Sequence, residues 1–468
     1  MKRRHFLQLS AAAMGSFAVS DSFKTLSAAT KADAQKLRDE SYGPIKPVRE
    51  EKTGLPLLQL PKGFRYLSFG WTGDELADGT VTPEAHDGMG VISQAGSLVT
   101  LIRNHEVDGR QACFSDGSYT YDKFAGGGCT SLVFDTASGT VKDSRTAIAG
   151  TLNNCAGGVT PWGTWLTCEE SVGGIMKTSE GDTYSKDHGW VFEVPADGSA
   201  PAKPLKEMGR FVHEAVAIDP DTGIVYETED RIKCGFFRFL PAIPGKLAEG
   251  GRLQMMRVPG HPDLTRSTGG ATVFEQIEWV DIKAPELAHT PGTEDTQGVF
   301  NQGARQDATA FGRLEGCWYG NDMIYFVSTC GGEAEKGQIW GYHPKNNSLH
   351  LIFESTHSSV LNFPDQIAVS PRGGMVLCED CDPNKVVENG REEEYFPRLH
   401  GLTPEGKIFT LAMNNCVLEK NHRGFQGDFR GSEWAGATFS PDGQWLFVNL
   451  YSPGMTLAIT GPWEKGGL

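Results

Sequence analysis

The chain has 468 residues, too many for one ordinary hydrophobic core unless the fold is an array of repeated units. Its 58 glycines and 25 prolines, with 39% hydrophobic and 22% charged residues, describe a turn-rich, largely β protein, and no charge-free apolar stretch after residue 30 is long enough to span a membrane. A formal charge of −16 excludes nucleic acid and anionic membranes as partners held by overall charge.

The first segment is an address. Lys2-Arg3-Arg4-His5-Phe6-Leu7, a mildly apolar run and small residues up to Ala28-Ala29 match the twin-arginine export pattern, so residues 1–29 are expected to be a cleaved leader. The partner is then the twin-arginine machinery, which exports folded cargo, and the destination is periplasmic or secreted. Cleavage removes four cations and one aspartate, taking the charge from −16 to −19. Residues 30–55 read as a polar, extended lead-in, and residues 56–465 as one β-propeller catalytic domain. The ten cysteines would meet an environment that permits disulfides. Cys378-Glu379-Asp380-Cys381 has the Cys-x-x-Cys form without the βαβ surroundings of a redox motif.

Short strands and turns follow. A first unit runs from His86-Asp87-Gly88-Met89 to Leu98 through Glu106. Thr160-Pro161-Trp162-Gly163 and Pro220-Asp221-Thr222-Gly223 are the next turns, followed by a unit from Arg313 to Thr329, then Ser370-Pro371-Arg372-Gly373 and Ser440-Pro441-Asp442-Gly443. Proline and glycine supply the turn angles, so each turn predicts a hairpin. Six residues past the turn glycine stand Glu169, Glu229, Glu379 and Asn449, and one further Glu170, Asp230, Asp380 and Leu450. Eight or nine residues before it stand Cys155, Glu214, Asp365 and Trp434. Residues equidistant from a hairpin turn lie opposite each other, so the acids and Cys155 emerge at one common end.

Six such units predict an all-β fold, a six-bladed β-propeller with inserted loops and a few short helices. Spacings of 60 residues (Gly163 to Gly223) and 70 (Gly373 to Gly443) exceed a common blade, and the segment from Ile232 to Gly312 is long enough to cover the site. In a propeller the first strand of each blade lines the axis, which brings Cys155, Glu214, Glu315 and Asp365 together.

Carboxylates gathered in this way repel. At about 5 Å and an effective dielectric of ~20, one pair of like charges costs roughly 3 kcal/mol. Either protons or cations must sit among them. Oxygen-rich sites select hard ions such as calcium, and one thiolate selects a transition metal such as iron beside it. Taken alone, a strand-end acid is ordinarily solvated and Cys155 a buried small hydrophobe; matched offsets in three hairpins favour the ligand reading. His105 and His213 each precede a candidate Glu and point away by strand alternation. Arg313, two residues before Glu315, either pairs with the acids or grips an anionic substrate oxygen.

The order of Arg103-Asn104-His105-Glu106, Asn154-Cys155-Ala156-Gly157-Gly158, Cys168-Glu169-Glu170, Arg210-Phe211-Val212-His213-Glu214, Thr228-Glu229-Asp230-Arg231, Arg313-Leu314-Glu315-Gly316 and Cys378-Glu379-Asp380 resembles the PhoX-type alkaline phosphatases, from about residue 55 to 460. The resemblance implies a six-bladed propeller, exported by the twin-arginine route, whose mixed Ca2+ and Fe3+ cluster hydrolyses phosphate monoesters. It implies Cys155 as the thiolate ligand of iron and Glu106, Glu214, Glu229, Glu315, Glu379 and Asp380 as acids of the cluster, to which the hairpin offsets add Asp365 and the Glu169-Glu170 pair. The offsets leave open which of Glu169 or Glu170, and of Glu379 or Asp380, faces the channel. It implies Arg313 as the phosphate-gripping residue. No serine nucleophile is then needed, and a monomer is expected. The last blade departs from the pattern, with Trp434 and Asn449 in place of acids. Two alternatives stand beside this reading: a calcium-dependent lactonase or esterase on the same fold, needing no thiolate, and a non-catalytic exported propeller that binds partners by its loops.

Overall fold

A computed structural model describes residues 41–174, 184–388 and 391–468, so the leader and most of the lead-in lie outside the described residues. Six antiparallel sheets form the blades. Blade 1 opens with the strands His86–Ala95 and Leu98–His105, blade 2 with Asn154–Val159 and Thr164–Glu169, and blade 3 with His213–Ile218 and Val225–Glu229. Blade 4 opens with Leu314–Gly320 and Met323–Ser328, blade 5 with Pro364–Val369 and Met375–Glu379, and blade 6 with Trp434–Phe439 and Trp445–Leu450. The innermost strands pack side by side in that order and the sixth returns to the first, which closes the ring of a six-bladed propeller.

The turn signature works as its chemistry requires. Gly163, Gly223, Gly373 and Gly443 have φ of +86°, +73°, +95° and +66°, conformations that favour glycine. The inner two strands show no alternation of polar and apolar residues because both faces are covered. His213–Ile218 and Trp434–Phe439, for example, are buried at every position. Apolar layers fill the gaps between blades, as where Val225, Phe237 and Met255 of blade 3 meet Leu166 and Val191 of blade 2.

The ends of the described chain meet in the ring. Strand Arg65–Phe69 is the outermost strand of blade 6, paired with Met455–Thr460, while Ile45–Val48 and Leu58–Pro61 extend blade 5. Part of the lead-in is therefore a strand. Pairing the beginning of the chain with its end closes the propeller without an open seam.

The insertion after Ile232 is used mainly for blades. It supplies Gly251–Arg257 and Glu278–Asp281 to blade 3 and Val273–Glu275 to blade 4. Helix Gly298–Ala304 is the one α-helix among the described residues, and the loop before it reaches the axial face, where the Arg231 guanidinium donates to Thr296 Oγ1. No helix among the described residues is long and apolar enough to cross a membrane. All ten cysteines are free thiols, including Cys378 and Cys381.

Candidate metal centre

One backbone device builds the site. Every innermost strand carries a register shift near its start: between His86 and Met89, Asn154 and Gly157, His213 and Val216, Leu314 and Cys317, Pro364 and Ile367, and Ala435 and Thr438. A bulge adds a residue and re-aims its side chain, here at the rim of the axial channel. The residues at the first bulge position are Asp87, Cys155, Glu214, Glu315, Asp365 and Gly436.

Three groups of ligand atoms result, those in each group lying within 4.8 Å of one another: Cys155, Glu170 and Glu214; Glu214, Glu315 and Asp365; and Asp87, Glu106 and Glu433. Glu214 joins the first two. Burial, followed by the charge of the neighbouring acids, pushes the carboxyls of Asp87, Glu170, Glu214, Asp365 and Glu433 well above the usual carboxylate range. Burial lifts Glu106 as well, and burial with Asp230 and against Arg313 holds Glu315 at about 8. The Cys155 thiol is pushed far up by burial and then by Glu214, and it donates to the carbonyls of His213 and Glu214 at 3.3 and 3.4 Å. Asp365 Oδ1 is buried without a hydrogen bond. Such a crowd of acids with an orphaned oxygen fits multivalent cations, whose charge would return these groups to their ionised forms. The donor set, mostly carboxylate with one thiol, fits a hard ion with a softer one beside it.

Arg313 is the cation at the mouth. Its Nε and Nη2 donate to Asp230 Oδ1 and Oδ2 at 2.9 and 2.8 Å, and Nη2 lies 2.6 Å from Glu315 Oε1 in an ion pair outside hydrogen-bond geometry. The side chain keeps 33% of its surface exposed, and Nη1 has no protein partner among the described residues. Arg313 also borders a cleft of about 520 Å³ lined by Asp230, Arg231, Ile232, Lys233, Asp295 and Gln297. This cleft lies beside the acids and opens to solvent.

Six of the predicted acids and Cys155 fall at or beside the cluster: Glu106, Glu170, Glu214, Glu315 and Asp365 in the groups above, and Asp380 against Glu433 and Asp87. That leaves Glu169, Glu229 and Glu379, which the structure does not bring to the groups. They are the last residues of their strands, paired with Asn154, His213 and Pro364, and alternation turns them away from the axis. Glu169 accepts from Leu152 N, Gly189 N, Trp190 N and His188 Nδ1 at 2.9, 2.8, 3.1 and 2.6 Å. Glu379 accepts from Asn362 N at 2.8 Å, from Arg398 and from His400, and although burial pushes it up, Arg398 and His400 hold it at about 2. Glu229 accepts from Gly235 N at 3.0 Å and burial lifts it to about 8.

Sequence reasoning passed over Asp87, Asp230 and Glu433. Asp87 opens blade 1, whose hairpin turns at Gly96 without proline and so lacks the shared signature. Asp230 stood in line with Glu170 and Asp380. Glu433 comes from the loop before blade 6, and the hairpin offsets do not reach it.

A family model described as alkaline phosphatase PhoX matches residues 40–147 and 119–454. Among solved structures, PhoX of Pseudomonas fluorescens in complex with vanadate, a transition-state analogue, is 17% identical, with 88% of this chain and 97% of that chain covered and a TM-score of 0.62. A gluconolactonase from Xanthomonas campestris is 12% identical over 90% of this chain and 98% of that one, with a TM-score of 0.41, too low to bear on function. Nothing matched among curated proteins.

Proposed function

The chain belongs to the PhoX family of alkaline phosphatases, and from that premise we propose that this phosphatase is an exported enzyme hydrolysing phosphate monoesters at a mixed calcium and iron cluster on the propeller axis. The observation that carries the proposal is the meeting of one thiol and seven carboxylates from separate blades in three adjoining groups. Cys155, Glu170 and Glu214 would hold the iron; Glu214, Glu315, Asp365, Asp87, Glu106 and Glu433 would hold calcium. When bound, such cations supply Lewis-acid stabilisation of phosphoryl charge and an activated oxygen nucleophile.

The rest is work for the chain's own groups. A phosphate monoester is a dianion approaching an acidic protein, so a local cation must receive it. Arg313 sits at the mouth with Nη1 turned to no protein acceptor, and Asp230 fixes the guanidinium plane through two parallel bonds. Charge-assisted donation from Nη1 to a phosphoryl oxygen would orient phosphorus toward the cluster, with the leaving group in the open cleft beside Arg231 and Lys233. No buried serine or histidine nucleophile is required by this arrangement.

The twin-arginine pattern at Arg3-Arg4 supports export in a folded, metal-loaded state. The test is hydrolysis of a simple aryl phosphate by protein recovered after its own export, before and after chelation. Activity that disappears on chelation and returns only with calcium and iron together is expected. Activity indifferent to exhaustive chelation would refute the cluster.

A further inference from the structure

Beyond the ligands themselves, four blades repeat a feature that the reading above does not use. Two residues before the axial ligand the backbone is left-handed at a residue other than glycine: Ala85 (φ +54°), Asn153 (+51°), Arg313 (+44°) and Phe363 (+50°). Bulky side chains avoid this conformation unless the surroundings enforce it. In every one of the four, the second strand's last residue grips the backbone one position earlier. His105 Nδ1 donates to Glu84 O at 3.0 Å, Leu152 N donates to Glu169 at 2.9 Å, Ser328 Oγ donates to Gly312 O at 2.7 Å, and Asn362 N donates to Glu379 at 2.8 Å. The next backbone amide then bonds the left-handed residue itself: Glu106 N to Ala85 O, Glu170 N to Asn153 O, Thr329 N to Arg313 O and Asp380 N to Phe363 O.

The two remaining blades provide the control. In blade 3 the corresponding residue is the β-branched Val212, whose φ is not positive, and Glu229 Oε1 has no hydrogen bond. In blade 6 the bulge residue is Gly436, and Asn449 bonds Asp87 O of the neighbouring blade instead of its own loop. The amide bond recurs in blade 3, from Asp230 N to Val212 O at 3.1 Å, so it is the side-chain grip that occurs together with the left-handed residue or not at all.

We propose that His105, Glu169, Ser328 and Glu379 are positioning residues that hold these left-handed turns and so aim Asp87, Cys155, Glu315 and Asp365, together with Arg313, at a shared centre. Resting on the metal-centre reading, the proposal gives Glu169 and Glu379 a role other than ligation. The side chains differ in charge and size and share only the position whose backbone they reach, His105 and Ser328 at its carbonyl oxygen and Glu169 and Glu379 at its amide, which is what a geometric function requires and a ligand function does not.

Ser328 is the cleanest place to test this, because its hydroxyl touches Gly312 O and no carboxylate of the cluster. Calcium binding by the metal-stripped, full chain would be measured in buffered free calcium, beside metal content and the KM for an aryl phosphate. Ser328→Ala is expected to weaken calcium binding about tenfold, within the range for loss of an orienting partner, and to raise KM through Arg313 while thermal stability stays near that of the wild type. Ser328→Cys, similar in volume but a weak donor, should show the same losses and serves if the alanine variant does not fold. Unchanged calcium affinity and KM in either folded variant would overturn the proposal alone. A wild-type chain that binds no calcium or iron would overturn the metal-centre reading and this inference with it.

Discussion

Blades 2 and 6 bulge at the same place in the innermost strand, yet one presents the Cys155 thiol to the axis and the other presents no side chain at all. A Cβ on Gly436 would lie 2.5 Å from Asp87 O and 2.7 Å from Asn449 Nδ2. That space is occupied by the join between blade 6 and blade 1. Asn449 Nδ2 donates to Asp87 O, Gly436 N donates to Gln366 Oε1, and Gln366 Nε2 donates to Asp87 Oδ1. Blade 6 also carries the closing strand Arg65–Phe69. The comparison teaches that the same backbone device serves chemistry in one blade and closure in the other, and that the site recovers an acid from the loop residue Glu433.

The contrast breaks most severely at the sulfur. Cys155→Ala should lose bound iron and more than about 100-fold of phosphatase activity, exceeding the 10- to 100-fold typical of changes around a ligand, while circular dichroism still reports the propeller. Arg313→Ala should come next. Losing a charge-assisted hydrogen bond of about 1.5–3 kcal/mol predicts a roughly 10- to 100-fold rise in KM with metal content kept, and an unchanged KM would refute the gripping role.

At the closing blade the effect should move from chemistry to stability. Gly436→Ala must place a Cβ against backbone at φ +63°, so denaturation is expected to show a loss of about 3 kcal/mol or more. Gly163→Ala sharpens the comparison from the other side. Its φ is +86° but nothing lies within 4 Å of the added Cβ, so only the conformational cost of about 1–2 kcal/mol should appear. Equal losses in the two variants would show that the blade 6 seam is not packed as described.

Much of this was legible in the residues. The four Pro- and Gly-bearing turns locate hairpins because those angles have few chemical solutions, and their matched offsets point to Cys155, Glu214 and Asp365 at one rim. Two local facts escaped. Counting back from a turn does not reveal a bulge, so Trp434 occupied the place that belongs to Gly436. Counting forward gives adjacent acids without their directions, and the facing direction of Glu170 against Glu169, or Asp380 against Glu379, depends on pairings with Asn154 and Pro364 that only the folded register fixes. Glu433 was illegible for a simpler reason: it reaches the axis from a loop, by a contact with Asp87 and Glu106 that spans most of the chain.

The central claim is that acids and one sulfur from separate blades are held together by multivalent cations. Elemental analysis of the natively exported protein and its Cys155→Ala variant tests it most directly. The account predicts stoichiometric iron with several calcium ions in the wild type, and calcium without iron in the variant. A folded, active wild-type enzyme free of both metals, or a variant that keeps its full iron, would contradict it.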